Sequence, residues 1–128
     1  GTLAEAFSGF SYLNGYPGGS PTSPPMALAD FTAGVHLAFA ISLALIGAKR
    51  GECGGQVIDV SLYEPLFGYL AAEFLSYSLT GEIPQPIGNE LRAAAPRNNY
   101  QTKEGKWIAM YCSAQKPWET LAKAMGRE

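Results

Sequence analysis

Residues 24–50 read PPMALADFTAGVHLAFAISLALIGAKR, and this stretch decides how the rest of the chain is interpreted. The residues between Asp30 and Lys49 are mostly apolar, and as a helix they place apolar side chains on nearly every side. A helix of that kind is either buried in protein or spans a membrane. The run is interrupted by Thr32, Gly34, His36, Ser42 and Gly47. We therefore interpret 28–49 as a buried helix of an α/β fold, with a membrane-spanning helix as the alternative.

The composition favours a folded protein that binds neither nucleic acid nor anionic membranes. The chain has 128 residues, 47% of them hydrophobic, with nine basic and eleven acidic side chains and no basic run. Cys53 and Cys112 lack CxxC spacing, so we interpret both as reduced thiols. The first residues, GTLAEAF, lack a signal-peptide pattern, and we expect a cytoplasmic protein. Both ends look cut, which suggests a fragment of a longer chain.

The remaining elements are predicted from turn residues and hydrophobic periodicity. They are a helix at 2–10, a loop at 14–25, a strand at 56–60, a helix at 62–78, a linker at 79–97, a hairpin with strands at 99–102 and 106–112, and a helix at 116–126. Thr2 is expected to cap the first helix and Gly9 to end it. Ser61, with Glu64 three residues later, is expected to cap the helix at 62–78.

Two stretches together resemble one known family. Residues 27–66, ALADFTAGVHLAFAISLALIGAKRGECGGQVIDVSLYEPL, resemble the class III CoA-transferases of CaiB/BaiF type. The shared order is an Ala-Asp pair opening a helix, a basic pair, a Gly-rich turn and a V-D-V-S-L-x-E segment. The turn departs from the family at Glu52 and Cys53, where a Thr is usual. Residues 96–112, PRNNYQTKEGKWIAMYC, are similar to the start of the family's small domain.

The resemblance implies a fold for the chain and an assembly for the protein. Residues 1–78 would form the last part of a Rossmann-like large domain with its connecting helix. Residues 79–97 would be the linker, and 98–128 the start of a small α+β domain. The implied assembly is an interlocked homodimer.

The resemblance also implies the chemistry, which is CoA transfer from an acyl-CoA to a carboxylic acid. Asp30 matches the family's nucleophile, which forms an aspartyl-CoA thioester. The implied partners are the two substrates, with no metal and no permanently bound cofactor, because CoA enters as a thioester substrate. Leu62 and Tyr63 after the predicted strand, and Asn98 and Asn99 at the small domain, are candidate substrate or CoA contacts.

Each of these residues also has a plain structural interpretation. Asp30 is a favoured helix N-cap residue. Glu64 lies near the candidate pocket but suits a helix cap better, and Asn98 and Asn99 suit a turn. Lys49 and Arg50 suit a helix C-terminus as well as a CoA phosphate. His36, the only histidine, is interpreted as a packed helix residue because it lies off the face that carries Asp30.

Two other functions stay open. An α-methylacyl-CoA racemase shares the fold and needs a glutamate near CSAQKPW, where Ser113, Ala114 and Gln115 stand. That departure argues against racemase chemistry. A non-catalytic helical module that binds a partner or a membrane would use the two apolar helices, with Asp30 as a cap only.

Overall fold

The structure, a computed structural model, describes residues 1–127 and divides into two units. The first unit, residues 1–86, contains five helices: α1 (Thr2–Phe7), α2 (Phe10–Leu13), α3 (Leu28–Lys49), α4 (Glu64–Tyr69) and α5 (Ala71–Thr80). The second, from residue 87 onwards, contains β1 (Arg97–Gln101), β2 (Trp107–Tyr111) and α6 (Gln115–Ala124). The chain therefore mixes helices with strands.

The long helix α3 has the bounds that the sequence predicts, but its surroundings differ. Only Ala29, Thr32 and Ala33 are buried. Eight large apolar side chains of α3 are exposed: Phe31, Val35, Leu37, Phe39, Ile41, Leu43, Leu45 and Ile46. The prediction of a buried helix is thus wrong within this chain, because the short helices α1 and α4 cannot cover 22 residues. With a mean hydropathy of 1.9, α3 also passes the length and composition test for a membrane span, as core helices can.

The first predicted helix is two short helices. The chain turns at Ser8 and Gly9, and Gly9 adopts a φ of 84°, which favours glycine. Gly9 therefore ends α1 as predicted. Thr2 does not cap it, because the N-cap is Gly1 and no side chain bonds there.

The predicted strand at 56–60 is wrong. These residues are irregular, and Val57 is fully exposed. A strand needs a neighbouring strand to pair its N–H and C=O groups, and the described residues 1–86 contain none.

The helix predicted at 62–78 begins at Glu64 and breaks at Leu70, which gives α4 and α5. Across the break, the rings of Phe67 and Phe74 stack with centroids 3.9 Å apart. Ser61 Oγ accepts the Glu64 N–H at 3.1 Å and donates to the Glu64 carboxylate at 2.8 Å. The expected Ser61–Glu64 contact is present, although Tyr63 is the N-cap.

The second unit contains the predicted hairpin. Strands β1 and β2 pair antiparallel, with Asn99 opposite Ala109. The turn closes through the Thr102 N–H, which donates to the Lys106 carbonyl at 2.7 Å, and Gly105 has a φ of 78°. The final helix, α6, is confirmed with its start at Gln115.

Candidate active site at the start of α3

Asp30 lies in the first turn of α3 but does not cap it. The N-cap residue is Ala27, and Asp30 is the third residue of the helix. The interpretation of Asp30 as an ordinary N-cap is therefore wrong. Its side chain is half-exposed, with a relative accessibility of 50%.

The first N–H groups of α3 are satisfied by Glu5 from α1. Glu5 Oε1 accepts the N–H of Leu28 at 3.1 Å, an N–H that is shared with the Met26 carbonyl at 2.8 Å, and it accepts the N–H of Ala29 at 3.4 Å. The Glu5 residue is only 2% exposed. Because the first N–H groups of a helix have no partner within it, this carboxylate does what a capping side chain does elsewhere.

Local contacts hold Glu5 in place. The Glu5 N–H donates to the Gly1 carbonyl at 3.0 Å, and the Ser8 hydroxyl donates to the Glu5 carbonyl at 3.0 Å. Ser8 is itself buried. Sequence reasoning missed Glu5, although one signal was available: it is the only charged residue before Asp30.

The Asp30 carboxylate faces the backbone of Gly1. The Gly1 nitrogen lies 3.6 Å from Asp30 Oδ2. The start of α3 also supplies the positive end of the helix dipole.

The candidate contacts Leu62 and Tyr63 lie in the segment before α4 and are both exposed. The Tyr63 ring packs edge-on against Phe7 of α1, with centroids 4.9 Å apart. Tyr63 thus contacts the helix that carries Glu5. Neither candidate lines the cavity of about 620 Å³ in this unit.

That cavity lies between α3 and α4. Its lining includes His36, Phe39, Asp59, Glu64 and Tyr69, and not Asp30. His36 Nδ1 lies 2.8 Å from the Thr32 carbonyl, to which it donates, and the His36 ring lies 5.9 Å from that of Tyr69. These contacts fit the interpretation of His36 as a packed helix residue.

The basic residues at the end of α3 are exposed. Arg50 lies 3.9 Å from Glu52, and both side chains are more than half exposed. An ion pair of this kind contributes at most about 1 kcal/mol. This geometry fits Lys49 and Arg50 as charges at a helix C-terminus.

The candidates Asn98 and Asn99 lie in strand β1 of the second unit, so their interpretation as turn residues is wrong. Asn98 Oδ1 accepts the Asn99 N–H at 2.8 Å. Both line a cavity of about 230 Å³, and Asn98 also lines one of about 930 Å³. The larger cavity is also lined by Arg97, whose guanidinium donates to the Asn89 and Glu90 carbonyls at 3.1 and 2.9 Å.

Ser113, Ala114 and Gln115, which stand where a racemase needs a glutamate, line the larger cavity too. Cys112 lines it as a buried free thiol, and Cys53 is also free. Over residues 1–127, no group of three His, Cys, Asp or Glu side chains is placed to hold a metal ion.

Known proteins resemble the whole of this chain. The profile of CoA-transferase family III matches residues 1–128. The alpha subunit of succinyl-CoA–L-malate CoA-transferase from Chloroflexus aurantiacus is 40% identical over 126 residues, which are 98% of this chain and 29% of that protein. Succinyl-CoA–D-citramalate CoA-transferase from the same species is 32% identical over 127 residues, or 99% of this chain and 31% of that protein.

Solved structures support the same relationship. A CaiB/BaiF family protein from Brucella suis superimposes with a TM-score of 0.76 at 27% identity, covering 98% of this chain and 32% of that one. The chain thus spans less than a third of the length of these three proteins. Because the family profile matches from the first residue to the last, the chain belongs to CoA-transferase family III.

Proposed function

We propose that this chain carries the nucleophile of an enzyme that transfers CoA from an acyl-CoA to a carboxylic acid. The observation that carries the proposal is the state of Asp30. Its carboxylate is half-exposed in the first turn of α3, while Glu5 occupies the first helix N–H groups. Asp30 is therefore available for chemistry that a capping aspartate is not.

The first half-reaction forms the covalent intermediate. An Asp30 carboxylate oxygen attacks the thioester carbonyl carbon, the C–S bond breaks, and CoA leaves as a thiolate with a mixed anhydride left on Asp30. The thiolate then attacks Asp30 Cγ, and the donor acid leaves as a carboxylate. The product is an aspartyl-CoA thioester, which conserves the thioester bond and divides one difficult step into two easier ones.

The second half-reaction reverses these steps with another acid. The acceptor carboxylate attacks Asp30 Cγ and displaces the CoA thiolate, which forms a second mixed anhydride. The thiolate then attacks the acceptor's acyl carbon, and Asp30 leaves as a free carboxylate. No net proton is consumed.

The substrates that we propose are succinyl-CoA as donor and a hydroxylated dicarboxylic acid as acceptor. The names of two relatives at 40% and 32% identity give succinyl-CoA with L-malate and with D-citramalate. Leu62, Tyr63, Asn98 and Asn99 are the residues of this chain that we assign to substrate or CoA contacts.

The proposal includes the protein around these residues. Residues 1–78 belong to a Rossmann-like domain and 98–128 to a small domain, joined by 79–97, in an interlocked homodimer. The exposed apolar side chains of α3 support this arrangement, because large apolar patches mark interfaces. We propose that other parts of the dimer cover α3 and that the enzyme is cytoplasmic.

The test uses the complete gene product that contains these residues. Succinyl-CoA and isotopically labelled L-malate are incubated with the protein, and label in the CoA thioester pool is followed by mass spectrometry. We expect labelled malyl-CoA to appear with release of succinate. The proposal would be contradicted if no labelled thioester formed with malate, with citramalate or with another labelled dicarboxylic acid.

The same protein distinguishes transferase from racemase chemistry. A transferase does not exchange the α-proton of its acyl group. A 2-methylacyl-CoA incubated in heavy water should therefore keep its α-hydrogen. Rapid deuterium uptake that disappears in Asp30→Asn would favour the racemase.

A further inference from the structure

Glu5 is a buried acid that the transfer chemistry does not use directly. It is 2% exposed, and its Oε1 accepts hydrogen bonds from Leu28 and Ala29 at the start of α3. Burying a carboxylate is costly unless donors and positive charge surround it. The first turn of a helix supplies both, as N–H groups and as the dipole. The cost of burying Glu5 is thus offset by the helix that carries Asp30.

The occupied donors have a consequence for Asp30. An acid at the third position of a helix, as Asp30 is, commonly folds back to bond the backbone at the N-cap. Glu5 satisfies the N–H groups of Leu28 and Ala29 from the other side. The N–H that a folded-back Asp30 would take belongs to the N-cap residue, Ala27, directly before these two donors. Because Glu5 already caps the start of α3 at Leu28 and Ala29, α3 has less need of a cap from Asp30, whose side chain is half-exposed.

We infer that Glu5 is a positioning residue for the nucleophile: it caps α3 from α1 and so keeps the Asp30 carboxylate free and oriented for attack. This inference rests on the proposed role of Asp30. Glu5 touches no substrate, and it acts through the helix start. Its accepting oxygen matters more than its charge, because two backbone N–H groups are its partners.

The test compares three changes at Glu5 in the complete gene product. Glu5→Leu removes the acceptor and fills similar space. Glu5→Gln keeps an accepting oxygen at the same reach, and Glu5→Asp keeps the charge but shortens the reach by one methylene. Glu82→Leu and Glu82→Gln are matched controls, because Glu82 is exposed in the same unit.

The first readout is the rate constant for loading CoA onto Asp30 from succinyl-CoA alone in a single turnover. We expect Glu5→Leu to lower this rate constant about 10²-fold, because misplacing a reacting group by about 1 Å costs about that much. The KM for succinyl-CoA should change less than about threefold. Glu5→Gln should stay within about threefold of wild type and Glu5→Asp should be slower than Glu5→Gln. The Glu82 variants should match wild type.

A merely structural role gives a different result. If Glu5 only supported folding, Glu5→Leu would lower the amplitude of CoA loading, because the amplitude is proportional to the amount of folded protein. The rate constant for loading would stay unchanged. That outcome in Glu5→Leu would overturn the inference. If Glu5→Leu does not fold, the loading rate constants of Glu5→Gln and Glu5→Asp are compared instead. A faster rate in Glu5→Asp than in Glu5→Gln would contradict the inference, because the shorter side chain should hold the helix start less well.

The second readout does not depend on CoA transfer. A water-soluble carbodiimide with an amine labels accessible carboxylates, and peptide mass spectrometry reports labelling at Asp30. We expect slower labelling of Asp30 in Glu5→Leu, where Asp30 turns in to cap α3, and wild-type labelling in Glu5→Gln. Unchanged labelling in Glu5→Leu would refute the inference. If the wild-type protein loads no CoA, the proposed function fails and this readout decides the role of Glu5.

Discussion

Two carboxylates at the start of α3 differ in what surrounds them. Glu5 is buried and bonded to the backbone, whereas Asp30 is half-exposed and faces Gly1. The buried group is held by its donors and unavailable to a substrate. In the proposed mechanism, the exposed group is the one that attacks the acyl-CoA. The division of roles that we propose for the two acids therefore rests on their burial and hydrogen bonding.

At the residue scale, we predict that Asp30→Asn in the complete gene product lowers CoA transfer by about 10³-fold or more. The amide has nearly the same shape but is a poor nucleophile towards a thioester. Steady-state assays with succinyl-CoA and L-malate measure the loss. Glu104→Gln, an exposed acid in the hairpin turn, is the control and should keep full activity. Full activity in Asp30→Asn would rule out its role as nucleophile.

Sequence reasoning reached Asp30 through the order of residues around it, but it could not exclude the N-cap interpretation. The structure excludes it by placing the N-cap at Ala27, and it adds a cap from Glu5, which stands 24 positions before Ala29 and bonds to it through space. Local patterns contain capping signals only within a few residues of a helix start. A cap supplied by another helix is a tertiary contact, so it became visible only in the structure.

At the element scale, Leu66 is the most buried side chain of α4. Leu66 has no exposed surface, and Pro65 beside it is also buried. We predict that Leu66→Ala lowers the free energy of unfolding by about 2–4 kcal/mol, from lost apolar burial and the cavity left behind. Urea unfolding followed by circular dichroism measures the change. Leu79→Ala is the control, because Leu79 is 78% exposed, and an equal loss in both variants would contradict the packing described here.

Element predictions succeeded where the signal is local and failed where it depends on a neighbour. The bounds of the helix at 28–49 and the hairpin were predicted correctly. The signals for both, an apolar run and a turn that contains Gly, lie within the segment that they describe. The strand at 56–60 needs a pairing strand, and residues 1–86 as described have none. The break at Leu70 left no clear mark, since Gly68 alone is tolerated inside a helix.

At the scale of the whole molecule, the apolar surface of α3 is the dominant feature. Eight large side chains of one helix are exposed, and α5 has no buried residue. We predict that residues 1–128 alone form a dimer or higher oligomer, with the segment 62–78 at the interface. A specific contact should bury about 1,000 Å² or more. Size-exclusion chromatography with light scattering tests this, and a stable compact monomer at micromolar concentration would contradict it.

The most direct test of the central claim is whether Asp30 receives CoA. The complete gene product is incubated with succinyl-CoA and no acceptor, then treated with hydroxylamine, digested and analysed by mass spectrometry. Hydroxylamine cleaves a thioester and leaves a hydroxamate on the acyl group that held it. We predict a hydroxamate on Asp30 in the wild-type protein and none in Asp30→Asn. An unmodified Asp30 in protein that still transfers CoA, or a hydroxamate on another residue, would contradict the account.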